Sequence, residues 1–130
     1  MRYAEPDSRG AEPRFGEAIR LDLDGFGIRS LELVGTGYLI AAGPFGGEKS
    51  GFTLRRWTGM AGEKPVISPQ PDLANVELQL TPEALFAIPG TDKVQILSDD
   101  GDFWADGHAR QECKDAPQAQ RRFRSIVVTP

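Results

Sequence analysis

The densest run of chemically capable side chains is Ser98-Asp99-Asp100-Gly101-Asp102, with Asp106 close behind. Calcium takes several hard oxygens, and Asp99, Asp100 and Asp102 could supply them. The spacing departs from an EF-hand loop, because no glutamate stands at the twelfth position. A β-turn rich in Asp and Gly is the plainer account. The expectation is therefore no cofactor, with calcium the one ion these oxygens could hold. Cys113, between Glu112 and Lys114, could be an activated thiolate, but His108 stands alone and no third member of a catalytic set follows. One cysteine excludes an internal disulfide, and one histidine excludes paired-His metal motifs. Gly43-Pro44-Phe45-Gly46-Gly47 and Gly59-Met60-Ala61-Gly62-Glu63-Lys64 are rich in glycine. Neither matches the phosphate-cradling pattern GxxxxGK[ST].

The charge balance narrows the partners. The 130 residues carry a net charge of −4, and the pI is about 5.0. A nucleic-acid binder shows the opposite sign, so that class is set aside. The acidic excess lies after residue 65. There Asp99, Asp100, Asp102 and Asp106 make one patch, and Arg121, Arg122 and Arg124 make a basic one. Such patches read first as solvated surface. No apolar run approaches the roughly 20 residues that span a bilayer, and no membrane partner is expected. The first thirty residues hold Glu5, Asp7, Glu12 and Glu17 and no apolar stretch, so no secretory signal is read there. The cytoplasm is the default expectation.

These groups must be positioned by short elements. Fifteen glycines and ten prolines punctuate the chain, which favours brief strands joined by tight turns. Residues 1–14 read as a loose arm and 15–130 as one β domain, in two halves at about 15–71 and 72–130. Ile19 to Asp24 alternates apolar and polar residues, the pattern of a half-buried strand. Ile28–Val34, Tyr38–Ala42, Phe52–Trp57 and the weak pair Val66-Ile67 continue an antiparallel meander. Tyr38–Ala42 is apolar throughout, as in a strand buried on both faces. A second series holds Val76–Leu80, Ala84–Ile88, Val94–Leu97 and Ser125–Thr129. Residues 84–88 and 94–97 form an expected hairpin over Pro89–Lys93. Asp115 suits a cap for a short helix over 116–123, the only helix expected. Trp57 and Trp104 read as packing residues.

Several motifs in order resemble a known family: Gly27-Ile28-Arg29-Ser30-Leu31-Glu32, Ala42-Gly43-Pro44, Phe52-Thr53-Leu54 with Trp57, Pro82-Glu83-Ala84-Leu85, Leu97-Ser98-Asp99-Asp100-Gly101, and Glu112-Cys113-Lys114-Asp115 with Phe123-Arg124-Ser125. Over about residues 19–128 they are similar to the C-terminal part of the bacterial family called domain of unknown function 3616. That family resembles phytase-like and esterase-like β-propellers, and no activity carries over. The resemblance implies an all-β fold of antiparallel meander sheets, a partial propeller of about two blades. The missing blades would come from the rest of a longer chain or from self-association.

The polar residues inside these motifs are Arg29, Glu83, Asp99, Asp100, Glu112 and Lys114. The innermost strand of a propeller blade lines a central channel, and Arg29 and Glu83 would stand at or just before two such strands. One reading is a pocket in which Arg29 offers its planar fork to a phosphate or carboxylate. The other is an internal Arg29–Glu83 salt bridge tying the blades together. The first function reading is a binding or interaction scaffold, or the C-terminal piece of a longer propeller protein. The second is a phytase-like hydrolase of phosphate or carboxylate esters, with Arg29 and Lys114 gripping the anion and Asp99, Asp100 or Glu83 holding a metal.

Overall fold

A computed structural model describes residues 14–46, 51–69, 71–73, 80–101 and 113–130. Its strands are β1 (Gly27–Val34), β2 (Gly37–Gly43), β3 (Thr53–Trp57), β4 (Val66–Ile67), β5 (Pro82–Ala87), β6 (Val94–Ser98) and β7 (Ser125–Val128). They build two open antiparallel sheets, β1-β2-β3-β4 and β5-β6-β7, each a meander. The fold is all-β, as expected. The turn between β1 and β2 shows why the hairpin closes there. Val34 faces Gly37, leaving Gly35 and Thr36 as a two-residue loop. Gly35 takes φ 65°, the left-handed backbone that the first position of a II′ turn demands.

Register sorts the side chains, because directly opposed residues share a face. Leu39 and Ala41 of β2 and Leu54 of β3 face the second sheet. There they form one core with Leu85, Val94 and Ile96, and with Phe52 and Leu73. Ile40 and Ala42 point the other way and are covered by Leu23, Leu21, Phe26 and Trp57. Strand β2 is thus buried on both sides, as its unbroken apolar run predicts. Each fully buried side chain of this kind contributes about 1.5–3 kcal/mol. The inter-sheet core therefore outweighs any single polar contact across it.

Two expectations change. Residues 19–24 alternate but form no strand. Ile19 is half exposed, and Leu23 is buried by lying over the first sheet rather than by joining a ladder. The Asp22 side chain accepts from the Asp24 N–H, and Asp24 and Gly25 take φ 57° and 85°, so a turn ends the segment. The helix over 116–123 shortens to a 3-10 turn at Gln118–Gln120, preceded by another at Cys113–Asp115. Pro117 is extended, with φ −51° and ψ 141°, and it has no N–H to continue a helix. The arm up to residue 13, strand residues 76–79 and Trp104 lie outside the described residues. Among the described residues no helix is long and apolar enough to cross a membrane.

Candidate functional site

Strand β1 pairs with β2 with a register slip. Ile28 faces Ala42 and Ser30 faces Ala41, so Arg29 is the extra residue of a bulge. Strand β5 slips in the same way. Pro82 faces Ser98 and Ala84 faces Leu97, leaving Glu83 as the extra residue. Bulges re-aim side chains at sheet edges, and here the two re-aimed chains meet. Arg29 Nη1 donates to Glu83 Oε1 at 2.6 Å, and Nη2 donates to the Pro44 carbonyl at 2.9 Å. The guanidinium also lies 5.8 Å from the Phe52 ring centre, a cation–π distance. Arg29 and Glu83 line one cleft with Gly27, Ile28, Pro44 and Phe45.

The pair begins a longer seam. The Leu85 N–H donates to Ser30 Oγ at 3.0 Å, and the Ala87 N–H donates to Glu32 Oε1 at 3.0 Å. Contacts advance together along both strands, so β1 and β5 run side by side in the same direction. Side-chain oxygens of β1 satisfy N–H groups of β5 that its own sheet leaves unpaired, which covers an edge otherwise open to another chain. Ser30 and Glu32 were not among the sequence candidates. Their alternation with Leu31 and Leu33 marked them as polar residues on one face, but not the edge they would serve.

The acidic candidates lie in a different cleft, with Cys113, Arg121 and Arg122. Neighbours there have opposite fates. Asp99 is exposed, and its Oδ1 accepts from the Gly101 N–H at 2.9 Å. Asp100 is buried. Its carboxylate accepts from Ser98 Oγ at 2.8 Å, from Arg124 Nε and Nη2 at 2.9 and 2.8 Å, and from the Arg124 backbone N–H. Burial alone pushes this carboxyl up. The hydrogen bonds from Arg124 and Ser98 and the Arg124 charge outweigh it and hold the group below the ordinary carboxylate range. A charge so enclosed joins β6 to β7; it is not open to an incoming ion. Lys114 sits exposed in the first 3-10 turn, and Glu112 and Asp102 lie outside the described residues. Among the described residues no group of three acidic, His or Cys side chains is placed to hold a metal.

A third polar cluster escaped the sequence reading. Arg55 of β3 is 1% exposed. Its Nη1 donates to Asp24 Oδ2 at 2.8 Å and its Nε to Thr53 Oγ1 at 3.1 Å. Lys64 Nζ bridges Asp24 and Asp22. The Lys64 hydrogen bond, then that of Arg55, holds the Asp24 carboxyl below its usual range. The cluster pins residues 21–26 onto the first sheet. No local signal marked it: Arg55 shares a sheet face with Ile40 only through the pairing of β2 with β3.

No family model, curated protein or solved structure matches the chain.

Proposed function

We propose that this chain is a binding scaffold of the propeller type, its two meander sheets being adjacent blades of a larger ring. One observation carries the reading: β1 and β5, the first strands of the two sheets, lie side by side in the same direction, with matching bulges joined by Arg29 and Glu83. Innermost strands of neighbouring propeller blades have this relation, and propellers leave only short edges because blades repeat about an axis. Arg29 and Glu83 line one cleft and Asp99 and Asp100 another, Lys114 lines neither, and the Arg29 fork already serves Glu83 and Pro44. That arrangement favours a structural latch over an anion grip.

Electron microscopy of the assembled protein tests the reading. The expected image is a ring of sheets around a channel lined by β1 and β5. Particles without a channel would refute it. Turnover of nitrophenyl phosphate or acetate that Arg29→Ala abolishes, in a folded variant, would favour the hydrolase instead.

A further inference from the structure

Where β1, β3 and β7 finish, the two sheets part around a cleft of about 370 Å³, lined by Val34, Leu39, Arg56 and Val66 of the first sheet and by Pro130, beyond β7. The registers set Leu39, Arg56 and Val66 side by side on the face turned to the second sheet. Leu39 belongs to the inter-sheet core and Val34 packs against it, so the cleft is apolar at its inner end. Arg56 is exposed at its mouth.

Arg56 carries the only charged side chain that lines this cleft. Arg29, Arg55 and Arg124 each meet a carboxylate, on Glu83, Asp24 and Asp100 in turn. Arg56 meets no acidic side chain among the described residues. Its Nη2 donates to the Pro130 backbone oxygen, and its other N–H groups are unpaired among the described residues. A guanidinium at the mouth of an apolar cleft selects an anion that also has an apolar part. Its planar fork fits a carboxylate. One cation balances one negative charge, whereas a phosphate monoester carries nearly two and finds no second cation here. The volume lies at the small end of the range for ligand clefts, roughly 300–1,000 Å³, which limits the guest to a small molecule.

We propose that this cleft binds small monocarboxylates with an apolar body, such as an aryl acid. The carboxylate lies on Arg56, and the body lies against Val34, Leu39 and Val66. The site goes beyond the scaffold reading and does not need a ring, because this chain alone supplies the lining.

Amide NMR of the nitrogen-15-labelled chain, titrated with phenylacetate, tests the site. Saturable shifts are expected at Gly37, Leu39 and Trp57, all of which line the cleft. Benzyl alcohol keeps the ring without the charge, and acetate keeps the charge without the ring. Each should bind about tenfold more weakly. Arg56→Gln should weaken phenylacetate by about tenfold and leave the urea midpoint unchanged, since no carboxylate pair is lost; Arg56→Lys should recover part of the binding. Val66 is 69% exposed and pairs directly with Arg56. Val66→Glu therefore supplies a competing carboxylate and should abolish binding in a folded protein. Absence of saturable shifts, equal binding of benzyl alcohol, binding that survives Arg56→Gln, or shifts confined to the Arg121 and Arg122 cleft would each overturn the proposal. Failure here leaves the adjacent-blade reading standing, and particles without a channel would leave this site standing.

Discussion

Arg29 and Glu83 hold the same position in two different sheets: each is the extra residue where a first strand slips register, and they meet at 2.6 Å. Their side chains are 25% and 37% exposed, so water screens the pair. A double-mutant cycle with Arg29→Ala and Glu83→Ala in urea should give a coupling of about 0.5–1 kcal/mol. The coupling should shrink in 1 M salt, where the screening length is about 3 Å. No coupling at low salt would mean that the apolar core alone joins the sheets.

Asp100 is the costlier group to alter. Truncating the side chain takes away the carboxylate to which Ser98 and Arg124 donate inside the protein. Asp100→Ala should lower the unfolding free energy by about 3 kcal/mol or more. A loss under 1 kcal/mol would show that the carboxylate is not enclosed as described.

The same carboxyl predicts an acid limb. Its pKa is depressed in the fold, so its stabilisation is complete above the unfolded value of about 3.9. It disappears as pH falls through the folded value. Asp22 and Asp24 are depressed as well and act in the same direction. Chemical denaturation from pH 6 down to pH 2 should show stability falling with acid, with a shallower fall in Asp100→Asn. An unchanged slope would contradict this.

Gly43 has no room for a side chain. A Cβ there would stand 2.4 Å from the Phe52 ring and 3.4 Å from Arg29 Nε. Gly43→Ala should cost about 1–3 kcal/mol by overpacking, read as a lower urea midpoint. Gly16, with nothing within 4 Å, supplies a neutral control as Gly16→Ala.

Asp24 separates charge from backbone. Its φ of 57° suits Asn as well as Asp, so Asp24→Asn removes charge while keeping the turn. The expected result is faster hydrogen exchange at Leu23 and Phe26, with the inter-sheet core unaffected. Equal protection in both proteins would mean that apolar contacts alone hold residues 21–26.

Much of the fold was legible because its causes are local. Period-two alternation and Gly or Pro punctuation fixed where β1, β2, β3, β5, β6 and β7 run, since a strand's faces and a turn's dihedrals depend on near neighbours. The weak Val66-Ile67 pair was legible for the same reason. The salt bridge between Arg29 and Glu83 was one of two readings open in the sequence, and nothing local could choose between them.

Tertiary structure decided the rest, because those outcomes depend on what lies across a gap. Residues 19–24 carry a strand's pattern, yet they lie over the first sheet through Leu23 and form no ladder. Asp99 and Asp100 are the same residue type one position apart; the sheet's end turns one to water and encloses the other against Arg124. Arg55 looks like a surface residue until Asp24 folds over it. Composition and spacing determined which residues alternate and where the chain turns, while the partner opposite each face determined which charges are buried and which remain open.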